Sequence, residues 1–137
     1  MTTVIQELGE LVKQIRGARV DCRTAEMLVT LPMGEGREQT VKVLSQRGVR
    51  GPYAVLRMIS RACVARDHGI VTRALRANGG NEWGGLALDI STDPPAIDVV
   101  YNLIGDDLSA NDFLAALHRV ASLADRIEQR IEASDEF

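Results

Sequence analysis

Two cysteines, two histidines, a few aspartate pairs and a run of arginines are the residues with which this sequence could do chemistry. Cys22 and Cys63 lie far apart, in no CxxC spacing and with no base beside them. A redox pair or a thiolate nucleophile needs one or the other, so both read as small apolar residues. His68 and His118 have no second histidine or cysteine at ligand spacing, which argues against a metal. Gly34-Glu35-Gly36 and Asn78-Gly79-Gly80-Asn81 lack the Lys and Ser/Thr of a phosphate loop and read as turns. Asp106 and Asp107 precede a helix start, where the dipole favours acids, and Asp93 and Asp98 bracket a turn. None of these carboxylates has a nucleophile or base placed near it in sequence. The expectation is a protein with no catalytic, cofactor-binding or metal-binding residues, and not an enzyme.

The arginines are a different matter. From Arg47 to Arg76 seven arginines face a single acid, Asp67, whereas from Glu82 to Phe137 twelve acids face three arginines. That asymmetry points to an anion or an acidic partner on the middle segment, or to the two regions facing each other. Arg57 and Arg61 fall on one face of a predicted strand with Val55, Ile59 and Cys63, a mixed face that is costly to bury fully. Trp83, the lone tryptophan, stands between glycines, either capping the core or anchoring an interface. Arg57, Ile59, Arg61 and Trp83 are therefore the candidate partner-binding residues. A nucleic-acid role is disfavoured by the net charge of −3 and by the lack of aromatics interleaved with the arginines.

The elements that position these residues fit one domain spanning all 137 residues. Apolar residues make up 45% and charged residues 26%, a globular balance that needs no disulfide or metal staple. No apolar run approaches the ~20 residues of a membrane helix, and the N-terminus lacks a signal-peptide pattern, so the expected compartment is the cytoplasm.

Val4, Ile5, Leu8, Leu11, Val12 and Ile15 recur at helical spacing, with Thr3 as cap and Gly17 as stop. Alternation in Met27–Leu31 and Thr40–Val43 about Gly34-Glu35-Gly36 predicts a hairpin, with 18–26 an extension of its first strand or an irregular connection. After the Gly48–Pro52 loop, a long strand follows from Tyr53 to Ala65, with Leu56, Met58, Ala62 and Val64 on its second face. A short helix over 67–77 and two alternating strands about Asp93-Pro94-Pro95 come next. A final helix runs from Ser109 to Ser134. That helix spans about 38 Å at ~1.5 Å per residue, against about 24 Å for five strands at ~4.8 Å each. An apolar stripe overhanging the sheet would seek a second copy or a partner.

The predicted fold is α+β: an antiparallel five-stranded sheet in helix-β-β-β-helix-β-β-helix order, with the first and last helices on one face. That order resembles the type III secretion chaperone fold. The wording is similar to its YbjN-like branch, bacterial proteins described as sensory-transduction regulators. Leu75-Arg76-Ala77-Asn78 followed by Gly84-Gly85-Leu86-Ala87-Leu88-Asp89, and Ala121-Ser122-Leu123-Ala124-Asp125-Arg126-Ile127-Glu128, carry the similarity. The resemblance implies a non-enzymatic, frequently dimeric module that binds other proteins, chaperone-like or adaptor. The alternative is a regulatory domain sensing a small molecule or anion through the arginine-rich segment.

Overall fold

The computed structural model describes residues 4–47, 54–78, 85–104 and 108–132. Its elements are α1 (Val4–Val12), β1 (Arg19–Cys22), β2 (Glu26–Gly34), β3 (Arg37–Arg47), β4 (Ala54–Val64), α2 (His68–Asn78), β5 (Gly85–Asp89), β6 (Ala96–Ile104) and α3 (Ala110–Glu132). The class is α+β, as expected, but the sheet has six strands, in the order β1-β2-β3-β4-β6-β5. Every pairing is antiparallel.

The extra strand is β1, so the expected helix-β-β-β-helix order gains a fourth strand before α2. Its four residues pair Arg19 with Thr30 through Cys22 with Met27. Only Val20 in this stretch is both apolar and partly buried, so period-two patterning gives almost no signal there. α1 lies against β1, and Gly9 is what allows the approach. A Cβ at Gly9 would sit 2.5 Å from Cys22 Sγ. α1 ends at Val12, short of the apolar stripe through Ile15 and of the expected stop at Gly17, and the chain continues in turns over 13–17; Gly17 itself has φ +82°. The turn between β2 and β3 takes three successive positive φ values, at Gly34, Glu35 and Gly36.

α3 is capped as its sequence predicts, with Asp112 N–H donating to Ser109 Oγ at 3.1 Å. Its stripe of Phe113, Ala116, Leu117, Val120, Ala121, Ala124 and Ile127 is buried against Met27, Val29, Val41, Val43, Leu56, Met58 and Val99. Ile5 and Val12 of α1 join the same cluster, so α1 and α3 share one face of the sheet. Ile131, near the end of α3, packs against a smaller cluster of Ala65, Ile70, Ala74 and Ile97 beneath α2. Ile97 shares its face with Val99, so α2 sits on the same side as well. The expected overhang is therefore absent: the α3 stripe is covered within the chain from Phe113 to Ile131.

Polar groups fix α3 in register on the sheet. Arg37 Nε donates to Asp125 Oδ1 at 3.2 Å, and Gln39 Nε2 donates to Glu128. Ser60 Oγ lies between Gln39 Oε1 and the Thr40 carbonyl. Gln39, Ser60 and Asp125 are all buried, so each needs its partner. Asp125 holds the Arg37 guanidinium above its ordinary pKa.

The expected faces of β4 hold only as far as a bulge between Arg61 and Cys63. Beyond it, Cys63 pairs with Ile97 and Val64 with Ala96. Cys63 therefore turns to the helix side, not to the side of Arg57 and Arg61, and Val64 leaves the Leu56–Met58 face. One inserted residue reverses every assignment after it.

Candidate functional site

Because the helices described share one side, the opposite side of the sheet carries no helix among the described residues. Side-chain alternation places Leu28 and Thr30 of β2, Lys42 and Leu44 of β3, Val55, Arg57, Ile59 and Arg61 of β4, and Val100 and Asn102 of β6 on it. Leu28, Leu44, Val55, Ile59 and Val100 are only half-buried. The sheet interior thus presents an apolar strip with two arginines on its central strand.

The two arginines differ in their surroundings. Arg61 stands opposite Asp98 on β6. Its Nε donates to Asp98 Oδ1 at 3.0 Å, and its Nη2 donates to Asp89. The hydrogen bond that Arg61 donates to Asp98, then the charges of Asp98 and Asp89, hold this guanidinium above its ordinary pKa. Asp89 is itself oriented by Ser91, whose hydroxyl and amide donate to Oδ1 at 2.6 and 2.9 Å. Those bonds, with Arg61 contributing less, hold the Asp89 carboxyl below its usual pKa. The acids that Arg61 meets are on β5 and β6.

Arg57 stands between Leu44 on β3 and Asn102 on β6, with Val55 and Ile59 two residues away along its own strand. Its Nε is buried and has no hydrogen-bond partner. The acids nearest in register are committed elsewhere. Glu26, opposite Leu44, lies 3.7 Å from Arg23 and 3.9 Å from Lys42. Asp98 is held by Arg61. Ile59, the third candidate on this strand, lies between Lys42 and Val100 and joins the strip. Trp83 lies outside the described residues, as do Asp106 and Asp107.

Sequence reasoning missed Leu44, Val100 and Asn102, because cross-strand neighbours become visible only once the register is known. It also missed the outer side of β5, the last strand in the sheet order. Leu75 (68% exposed), Leu88 (44%) and Ile90 (79%) cluster there. Leu75 and Leu88 border an apolar notch of about 30 Å³ that Val71, Ala74, Leu86 and Ile97 also line. Ile90 follows β5 in a turn, so the alternation of 86–90 overstated the strand by one residue.

A larger open crevice, about 480 Å³, lies between the end of β4, the start of α2 and the end of α3. Cys63, Arg66, Asp67, Ile70, Glu128 and Ile131 line it. Burial, and then the charge of Glu128, push the Cys63 thiol up, opposite to what a nucleophile needs. Asp67 caps α2 through the Ile70 amide at 3.0 Å, and Glu128 is bonded by Gln39. Cys22 is exposed on the β1 edge, well removed from this crevice in the sheet order. His68 and His118 are exposed. Among the described residues no three His, Cys, Asp or Glu side chains gather as a metal site requires. Among them, too, no helix is long and apolar enough to cross a membrane. Compared with protein-family models and with curated proteins, the chain matches none.

Proposed function

We propose that this protein is a non-catalytic protein-binding module, chaperone-like or adaptor, working as a homodimer in the cytoplasm. The observation that carries the reading is the sheet face that no helix covers among the described residues, with Leu44, Val55, Ile59 and Val100 half-buried around Arg57. A sheet interior left without a covering layer leaves apolar area in water, and a contiguous exposed patch of that kind marks an interaction surface. The likeness to YbjN-like and secretion-chaperone proteins agrees with this reading and is proposed with it.

The alternative, an anion-sensing domain, needs a concave pocket ringed by arginines. The large crevice has Arg66 on its rim but also Asp67 and Glu128, and neither Arg57 nor Arg61 reaches it. Charge of both signs around it favours the protein-binding reading. Self-association is supported by the β5 side, where Leu75, Leu88 and Ile90 are exposed beside a terminal strand.

The test is site-resolved photocrosslinking in cells. A photoreactive residue at Ile59 or Leu44 should give discrete protein adducts, and one at His118, on the exposed side of α3, should not. No adduct at Ile59 and Leu44, or equal labelling at His118, would remove the assignment. Light scattering coupled to size exclusion tests the dimer: a mass of the single 14.9 kDa chain at micromolar concentration counts against it.

A further inference from the structure

We propose that Arg57 is the receptor for a carboxylate, presented by an extended segment of a partner protein that lies along β4 on the helix-free face. The inference rests on the reading of that face as a protein-binding surface and names what the surface selects.

The argument is one of unmatched charge. Arg61, four residues along the same strand, is neutralised within the chain by Asp98 and Asp89. Arg57 is flanked across the sheet by Leu44 and Asn102 and along the strand by Val55 and Ile59. Glu26 is two strands away, roughly 9–10 Å at the usual strand spacing, and already faces Lys42 and Arg23. Arg57 is half-buried among apolar side chains, and its buried Nε has lost water without gaining an acceptor. A carboxylate arriving from outside supplies what is missing, and the guanidinium fork accommodates it in a bidentate pair.

The flanking residues set the rest of the chemistry. Val55 and Ile59 lie on either side of Arg57 at two-residue spacing, close to 7 Å on each side by strand geometry. An extended segment repeats at the same spacing. The complementary ligand therefore carries an acid with apolar residues two positions before and two positions after it. A second copy of this chain fits less well. A two-fold packing of this face centred on Arg57 would bring Arg57 against Arg57, and like charges oppose that arrangement.

The test uses the full chain, labelled for nuclear magnetic resonance, with blocked peptides of alternating valine and threonine identical but for a central Glu, Gln or Lys. The Glu peptide should shift the Arg57 Nε–Hε signal and the amides of Leu44, Arg57, Ile59 and Val100. It should bind about tenfold more tightly than the Gln peptide, the size of one charge-assisted hydrogen bond. The Lys peptide should bind weakest. In Arg57→Met the Glu preference should vanish while the Gln peptide binds as before. Equal binding of the Glu and Gln peptides to the native chain would overturn the carboxylate assignment and leave the binding face standing. If no peptide perturbs this face, the protein-binding reading fails and the assignment with it. If acetate alone binds Arg57 as tightly as the Glu peptide, the site is for small anions and the proposal is wrong. If the amides of this face instead shift with protein concentration, its occupant is a second copy, which also overturns it.

Discussion

Arg57 and Arg61 share a strand face, and substituting each alone should separate them sharply. Arg61→Ala removes the donor to Asp98, a carboxylate only 7% exposed. A hydrogen bond to a charged group contributes about 1.5–3 kcal/mol. The Arg61 side chain is itself 49% exposed, so solvent screening reduces that to about 1–2 kcal/mol. For a chain of this length each kcal/mol moves Tm by about 4 °C, which places the loss at roughly 4–8 °C. Arg57→Met removes a buried donor that has no acceptor, so its cost should stay within about 1 kcal/mol and can be a gain. Urea melts followed by circular dichroism read both, with an unchanged slope certifying that the unfolded state is not the cause. The pH dependence supplies a second check. The folded-state pKa of Asp89 lies below its ordinary value, so its contribution is present above about pH 4 and fades as the pH falls through the folded value. Arg61 supplies part of that depression, so the gap between native chain and Arg61→Ala should narrow in acid. If Arg57→Met costs as much as Arg61→Ala, Arg57 has a structural role and cannot be a receptor in waiting.

Gly9→Ala should destabilise by about 1–2 kcal/mol, because overpacking against Cys22 Sγ outweighs a helix-propensity gain of up to about 1 kcal/mol. In a Cys22→Ala background the same change should be neutral or stabilising, and a double-mutant cycle without coupling would refute the contact. Cys22 is exposed, whereas Cys63 is partly buried with its thiol pKa raised, so a thiol-specific disulfide reagent at neutral pH should label Cys22 first; faster labelling of Cys63 refutes the described burial. Replacing either cysteine by Ala should leave partner binding intact, and loss of binding in a folded variant would give that thiol a functional role. Asn78→Ala removes both bonds to Leu86, to its amide at 2.7 Å and its carbonyl at 3.3 Å, and should cost about 1–3 kcal/mol, read as faster amide exchange across β5.

In α3 and the β2–β3 hairpin the side-chain period and the structure agree. α3, with an apolar residue at every turn and a serine cap, is placed within two residues at either end. The β2–β3 hairpin follows from alternation plus Gly34 and Gly36, which tolerate positive φ on either side of Glu35. β1 was illegible because an edge strand with one half-buried residue carries no period. Pairing with β2 creates it, and β2 is recognisable without it. The predicted overhang of α3 failed for a related reason. The expectation counts five strands beneath it, whereas the sheet has six and α2 extends the covered area to Ile131.

The site was legible in residue type and illegible in charge balance. Arg57 and Arg61 occupy the same face at a four-residue offset, and nothing local distinguishes them. What separates them is which residue of β6 lies opposite: Asn102 in one case, Asp98 in the other. That depends on the pairing of segments some forty positions apart, and on β5 returning Asp89 to the same side. A shift of two residues in the β4–β6 register would pair each arginine with a different residue of the same face. The bulge at Arg61 and Cys63 falls just past the last of these pairs, so it redirects Cys63 without disturbing the arginines. One register therefore closes Arg61 within the chain and leaves Arg57 open toward whatever lies on the sheet.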